Sequence, residues 1–291
     1  MHLVQLKSLF AARLEPLYGR REAAAIFSLA VEKLTGLTRT EMALDPDREL
    51  PAEQQGEAHR MLDRLAAGEP VQYALGATEF CGCVLSVGEG VLIPRPETEE
   101  LVRLIVEDLA GGPAVSVGAP GLAILDIGTG SGAIAIALAR LAPGARVVGV
   151  DISDRALEFA RANSAANEVD VDFRKADILD PAVLEGEKCD IIVSNPPYVL
   201  LSERAAMARN VVDFEPHEAL FVDDDDPLVF YRAIARFAVG ALRPGGGLYF
   251  EINEKFGKEV AHVVEEFGFE EISVIKDISS KDRIVRCRKP W

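Results

Sequence analysis

Along the first 75 residues, apolar side chains recur at helical spacing. Leu3, Leu6, Phe10, Leu14 and Leu17 lie three or four positions apart, as do Ile26, Ala30 and Leu34, and later Met61, Leu62 and Leu65. Each series lines one face of a helix. The polar stretch TRTEMALDPDRELPAE divides them, so residues 1–75 read as a small helical bundle. The rhythm changes over residues 76–93, GATEFCGCVLSVGEGVLI. Alternating apolar positions among glycines predict a β-hairpin linking two domains.

Residues 94–291 follow a third pattern. PRPETEELVRLIVEDLA predicts a helix with Thr98 as its N-cap. From Ala123 onward seven strand segments stand out: AILDIG, RVVGVDI, VDFRKADI, CDIIVSN, GGLYFEI, EISVIKDI and RIVRCRK. Amphipathic segments such as SGAIAIALARLA and PLVFYRAIARFAVGAL separate most of them. Apolar strands alternating with helices predict an α/β fold, a parallel sheet covered on both faces. The last two segments are too close for a crossover helix, so they should add an antiparallel strand. DRIVRCRKPW alternates like an edge strand with one exposed face.

In such sheets ligands bind beyond the carboxyl ends of the strands, where the strand order reverses. The first strand runs into LDIGTGSGAIA, whose Gly128, Thr129, Gly130, Ser131 and Gly132 form a tight loop opening onto a helix N-terminus. Asp151 ends the second strand about 20 residues further on, where a carboxylate accepts ribose hydroxyls. Loop and acid together suit a nicotinamide dinucleotide as well as an adenosyl cofactor. Three details favour S-adenosylmethionine over NAD. Asp126, just before the loop, would repel a pyrophosphate but suit a cationic ammonium group. Asp177, with Ile178 beside it, ends the third strand where an adenine amino group needs an acceptor. The fourth strand ends in Asn195-Pro196-Pro197-Tyr198, which hydride transfer does not require.

That NPPY corner suits methylation of a planar nitrogen. An amide or aniline-like nitrogen is a weak nucleophile because its lone pair is delocalised. Acceptors that grip its two hydrogens favour the positive charge developing during attack. Asn195 offers a side-chain carbonyl, and Pro196 a backbone carbonyl whose direction Pro197 restricts. Tyr198 offers a ring face for a flat group. A rigid corner needs little reorganisation, and alignment with the cofactor supplies the rest.

Charge narrows the partners. With 47 acidic against 31 basic residues and a net charge of −16, the chain lacks the cationic excess of a nucleic-acid binder. No apolar run is long enough for a membrane span, and no signal peptide is visible. A cytoplasmic monomer is the expectation. Cys81, Cys83, Cys189 and Cys287 form no CxxC pair, and the four histidines are scattered, so reduced thiols and no metal site are expected.

EPVQYALGATEFCG, LIPRPETEELV, ILDIGTGSGAIAIALA, VSNPPYV, DFEPHEALF, LYFEI and DRIVRCR occur in the order in which similar segments occur in the HemK/PrmC family. The chain resembles these protein-(glutamine-N5) methyltransferases over roughly residues 68–288. The resemblance implies a Rossmann-like, seven-stranded class I methyltransferase domain over residues 94–291, with residues 1–75 as a substrate-docking domain. It implies S-adenosylmethionine as cofactor and, as partner and substrate, a glutamine in the Gly-Gly-Gln motif of class 1 peptide chain release factors. It also places Arg95, Glu97 and Glu99 around the cavity that Asn195, Pro196, Pro197 and Tyr198 line, Arg95 and Glu97 as substrate contacts. The chain departs from the family pattern at Ile178, Asn253 and Phe256. The alternative activity is adenine-N6 methylation of nucleic acid, which would need a basic recognition region.

Overall fold

The computed structural model describes residues 1–111, 121–180 and 184–291. It divides into two compact units, Met1–Ala77 with Ala208–Phe214, and Thr78–Met207 with Glu215–Trp291.

The first unit is helical. α1 (Leu3–Thr35) carries Pro16 and breaks at Gly19, whose φ of 76° and ψ of 160° are not helical. The two apolar series read from its sequence therefore fall on two segments. α2 (Arg39–Leu44), α3 (Ala52–Ala66) and α4 (Val71–Leu75) follow. Leu6, Phe10, Leu14, Ile26, Leu62 and Leu65 share one apolar core. Leu17 continues the spacing but is 58% exposed, because the break at Gly19 ends the regular face.

The second unit opens with the hairpin of β1 (Ala77–Phe80) and β2 (Cys83–Ser86). Cys83 and Leu85 are buried in its core, and Asn163 exchanges two hydrogen bonds with the Ser86 backbone. α5 (Pro96–Gly111) starts two residues before Thr98. Thr98 therefore sits inside the first turn, where its own N–H already bonds the Arg95 carbonyl at 3.1 Å. It is not the N-cap that its residue type suggests.

The sheet contains β3 (Ala123–Ile127), β4 (Arg146–Asp151), β5 (Asp172–Lys175), β6 (Cys189–Ser194), β9 (Leu242–Glu251), β10 (Glu270–Lys276) and β11 (Asp282–Arg288), with the short pair β7 (Val199–Leu200) and β8 (Phe221–Val222) outside it. Helices α6 (Ala133–Leu141), α7 (Asp154–Ala166), α8 (Arg209–Val212), α9 (His217–Leu220), α10 (Val229–Ala241) and α11 (Gly257–Glu266) intervene along the chain, α8 belonging to the helical unit. The spatial order is β10-β11-β9-β6-β3-β4-β5. β3 pairs parallel with both β4 and β6, so the strand order reverses beside it. Two apolar clusters pack the sheet, one holding Ile124, Ile136 and Ile191 and the other Leu125, Ile192 and Tyr231.

β11 corrects the edge-strand reading of the C-terminus. It runs antiparallel between β9 and β10, with Ile284, Val285 and Cys287 buried. Its arginines are not a free basic strip, since Arg283 pairs with Asp277, Arg286 with Asp108 and Arg288 with Glu271. No helix of the described residues is long and apolar enough to cross a membrane.

Candidate active site

β3, β4, β5 and β6 end around one cavity of about 280 Å³. The loop after β3 turns back under β4, with the Gly128 and Thr129 N–H groups both donating to the Val150 carbonyl at 2.9 Å. Gly128, Gly130 and Gly132 all have φ between 56° and 82°, backbone that side chains rarely adopt. At Gly132 a Cβ would also lie 2.9 Å from Ile136 and 3.2 Å from Ala160, so only glycine lets the loop enter α6 at this approach. Gly128, Thr129, Gly130 and Ser131 line the cavity. Gly132 shapes the turn from behind.

Asp151 lines the cavity at the end of β4. Its Oδ2 accepts from the Gly130 N–H at 2.8 Å and its Oδ1 from the Ser153 N–H at 2.9 Å. Burial raises its pKa above the ordinary carboxylate value, against those two bonds. Asp177 and Ile178 line the wall below β5, and Asp177 Oδ1 accepts from the Leu179 N–H at 2.9 Å. With Glu218 these make, among the described residues, three lining carboxylates against one guanidinium, Arg95. Arg95 donates to Glu215 at 2.6 Å, and Glu215, 3% exposed, also takes the Ile93 N–H at 3.0 Å. An acidic and apolar lining is ill suited to a pyrophosphate and well suited to a cationic adenosyl compound.

Asp126 is not on the cavity wall. It is fully buried behind the loop, where its Oδ2 accepts from the Thr129 hydroxyl at 2.6 Å and the Ala135 N–H at 3.2 Å. Its Oδ1 is buried with no hydrogen-bond partner among the described residues. Burial pushes its pKa up to about 7, against the two hydrogen bonds, and the Asp151 charge adds to the rise.

At the end of β6 the Ser194 hydroxyl donates to the Ile127 carbonyl at 2.7 Å, which ties the two strand ends together. Asn195, Pro196 and Pro197 then line the cavity. Tyr198 does not. Its hydroxyl donates to Glu251 Oε1 at 3.0 Å, and its pKa is raised by burial and by that carboxylate. Its carbonyl accepts from Asn253 Nδ2 at 3.1 Å, a use for one of the residues that departs from the family pattern.

Thr98 and Arg95 reach the cavity from α5 and the residues before it, but Glu97 and Glu99 do not line it. Glu99 instead accepts from the Cys81 N–H at 2.9 Å and from Arg103. Sequence reasoning missed Glu215 and Glu251, two buried acids that hold the site from outside. Their only signal was an acid inside a short motif, FEP, or at the end of an apolar strand, LYFEI.

The seven-stranded mixed sheet, parallel from β9 to β5 and reversing at β3, gathers a glycine loop, strand-end acids and Asn195-Pro196 around one cavity, the arrangement of a methyltransferase fold. Residues 119–264 match a methyltransferase domain family and residues 5–76 match the PrmC N-terminal domain. The release factor glutamine methyltransferase of Bacteroides thetaiotaomicron is 43% identical over 276 residues, covering 95% of this chain and 96% of that protein. That of Flavobacterium psychrophilum is 41% identical over 286 residues, covering 98% and 99%. A T. thermophilus 16S rRNA N2 G1207 methyltransferase, solved with AdoMet and guanosine, shares the fold with TM-score 0.53 and 24% identity over 73% of this chain and 49% of that one. The chain belongs to the release factor glutamine methyltransferase family.

Proposed function

We propose that this enzyme transfers a methyl group from S-adenosylmethionine to the side-chain N5 of the glutamine in the Gly-Gly-Gln motif of class 1 peptide chain release factors, modulating translation termination. The observation that carries this reading is that Asn195 and Pro196 share one cavity with the glycine loop and Asp151. S-adenosylmethionine supplies a methyl group on a sulfonium sulfur, which leaves as a neutral thioether when the substrate nitrogen attacks.

Asp151 is the acceptor for ribose hydroxyls and Asp177 the acceptor for the adenine amino group. Asp126 serves the cofactor indirectly, by holding Thr129 and so the loop. The Asn195 side-chain oxygen and the Pro196 carbonyl grip the two hydrogens of the glutamine amide. They favour the charged nitrogen of the transition state over the neutral ground state. The methylated amide nitrogen then loses its proton to water, so no strong base is required. Tyr198 contributes by fixing the corner. Arg95, held by Glu215, borders the substrate side of the cavity.

The helical unit serves to dock the release factor, since a Gly-Gly-Gln loop alone offers little area for recognition. We place the enzyme in the cytoplasm, acting as a monomer without direct nucleic-acid contact. The pairing of the β11 arginines with acids supports that last point. The test is incubation with labelled cofactor and either release factor or bare DNA, followed by mass spectrometry of the Gly-Gly-Gln peptide. The glutamine should gain one methyl group and the Asn195→Ala variant should lose at least about 100-fold in rate. Label on DNA alone, or parent activity in Asn195→Ala, overturns the proposal.

A further inference from the structure

A side-chain amide carries one acceptor and one donor, and only its hydrogen bonds decide which faces a ligand. At Asn195 the answer is fixed from a distance. Glu251, at the end of β9, is 1% exposed. Its Oε2 accepts from the Thr98 hydroxyl at 2.6 Å and its Oε1 from the Tyr198 hydroxyl at 3.0 Å. An ionised carboxylate only accepts, so both hydroxyl protons must point toward it. Thr98 has then spent its one proton and presents lone pairs to Asn195. The Asn195 amide therefore turns Nδ2 toward Thr98 Oγ1, at 3.3 Å. Its Oδ1 is left as the atom available to a ligand.

We propose that Glu251 is a positioning residue which, through Thr98, holds Asn195 with its carbonyl oxygen ready to accept from the substrate amide. The inference rests on the glutamine-methyltransferase reading and adds the group that sets the polarity of the corner. The same carboxylate holds Tyr198, so one buried charge anchors both ends of NPPY. Glu97 on α5, Tyr198 beyond β6, Tyr231 on α10 and Arg283 on β11 are the titratable and charged groups around it. The Arg283 guanidinium bonds Asp277 and the Ile252 carbonyl and offsets the Glu251 charge without a direct bond. Burial raises the Glu251 pKa more than its hydrogen bonds to Thr98 and Tyr198 lower it. Protonation puts a donor on the carboxyl. A donor facing Thr98 sends the Thr98 proton to Asn195 and turns Nδ2 outward, where it repels the substrate N–H groups.

The test compares Glu251→Gln, Thr98→Val and Thr98→Ser with the parent in two assays. In the first, the side-chain amide signal of Asn195 is followed by NMR against pH without substrate. It should titrate with a midpoint above that of an ordinary glutamate in the parent and in Thr98→Ser. In Glu251→Gln and Thr98→Val it should stay flat. In the second, kcat for methyl transfer should fall about 100-fold in Thr98→Val and Glu251→Gln and stay within about threefold of the parent in Thr98→Ser, with cofactor affinity little changed. Parent kcat in Thr98→Val, or an Asn195 signal that titrates identically in Glu251→Gln, overturns the proposal. A loss of stability or cofactor affinity that accounts for the whole fall in rate overturns it too. A parent enzyme whose Asn195 signal titrates as stated but which labels no glutamine defeats the substrate reading and leaves the orientation standing.

Discussion

Replacing Asp126 with Asn should remove a large pH dependence from the stability of the α/β unit. The side chain has 0% exposure, and one of its oxygens has no partner among the described residues. Its pKa rises from an ordinary 3.8 to about 7, chiefly through burial. An unfolded chain releases this proton near pH 3.8 and the folded one near 7, so between those values the folded state binds more protons. Stability therefore falls as pH rises through this window and is level above it. The gap, at about 1.36 kcal/mol per decade, comes to roughly 4 kcal/mol. At about 2 °C for each kcal/mol in a domain of this size, that is roughly 8 °C of melting temperature. Asn cannot ionise, yet its oxygen still accepts from Thr129 and Ala135. Calorimetric melting temperatures of both proteins, taken at half-unit steps from about pH 4 to 8, should converge or cross, the parent losing ground throughout. Parallel curves would show that Asp126 is ionised at a normal pKa and that its orphaned oxygen is hydrated.

Asp151→Ala should weaken cofactor binding by roughly tenfold or more, about the worth of a hydrogen bond to a charged group, with isothermal titration as the measurement. Gly149→Ala should destabilise by about 1–3 kcal/mol as overpacking, because its Cβ would lie 2.6 Å from Phe173 and 2.9 Å from the Thr129 hydroxyl; urea unfolding gives the number. Removing residues 1–70, which hold a core of their own, should raise KM for whole release factor more than for a Gly-Gly-Gln peptide. Equal effects on both substrates would count against docking.

The central strands β3 and β6 could be read from the chain because parallel strands buried on both faces are nearly apolar throughout, and most helices because their apolar positions recur at helical spacing. The motifs AILDIG, GVD and NPPY were legible for the same reason, since each breaks an apolar run at a strand's carboxyl end. What failed depended on spatial order or on the direction of a side chain. DRIVRCRK alternates like an edge strand, but the chain returns to place β11 between β9 and β10. Asp126 and Asp151 share one sheet face, since Asp126 pairs with Gly149 two residues before Asp151, but that offset leaves Asp126 buried behind the loop while Asp151 reaches the cavity wall. Thr98 has the residue type of a cap, and nothing local shows that its hydroxyl is claimed by Glu251, 153 positions away. Tyr198 was read for its ring, while the fold uses its hydroxyl.

Three of the acids that shape this site are almost wholly buried: Asp126, Glu215 and Glu251 at 0%, 3% and 1% exposure. Burying a carboxylate costs several kcal/mol unless donors repay it, so stability alone would replace such groups with apolar ones. Their donors share a feature. Asp126 takes a hydroxyl and an N–H from the glycine loop and the start of α6, Glu215 the Ile93 N–H and Arg95, and Glu251 the hydroxyls of Thr98 and Tyr198. All six donors lie outside the strands of the sheet, and three of them, Thr129, Arg95 and Thr98, line the cavity. The sheet supplies a rigid base, but its hydrogen bonds end where the site begins. Acceptors carrying full charge take over there, since charge-assisted bonds are about twice as strong as neutral ones. They fix loops that packing cannot reach. At Glu251, whose pKa burial raises, loss of the charge would release the Thr98 and Tyr198 hydroxyls from the direction it sets.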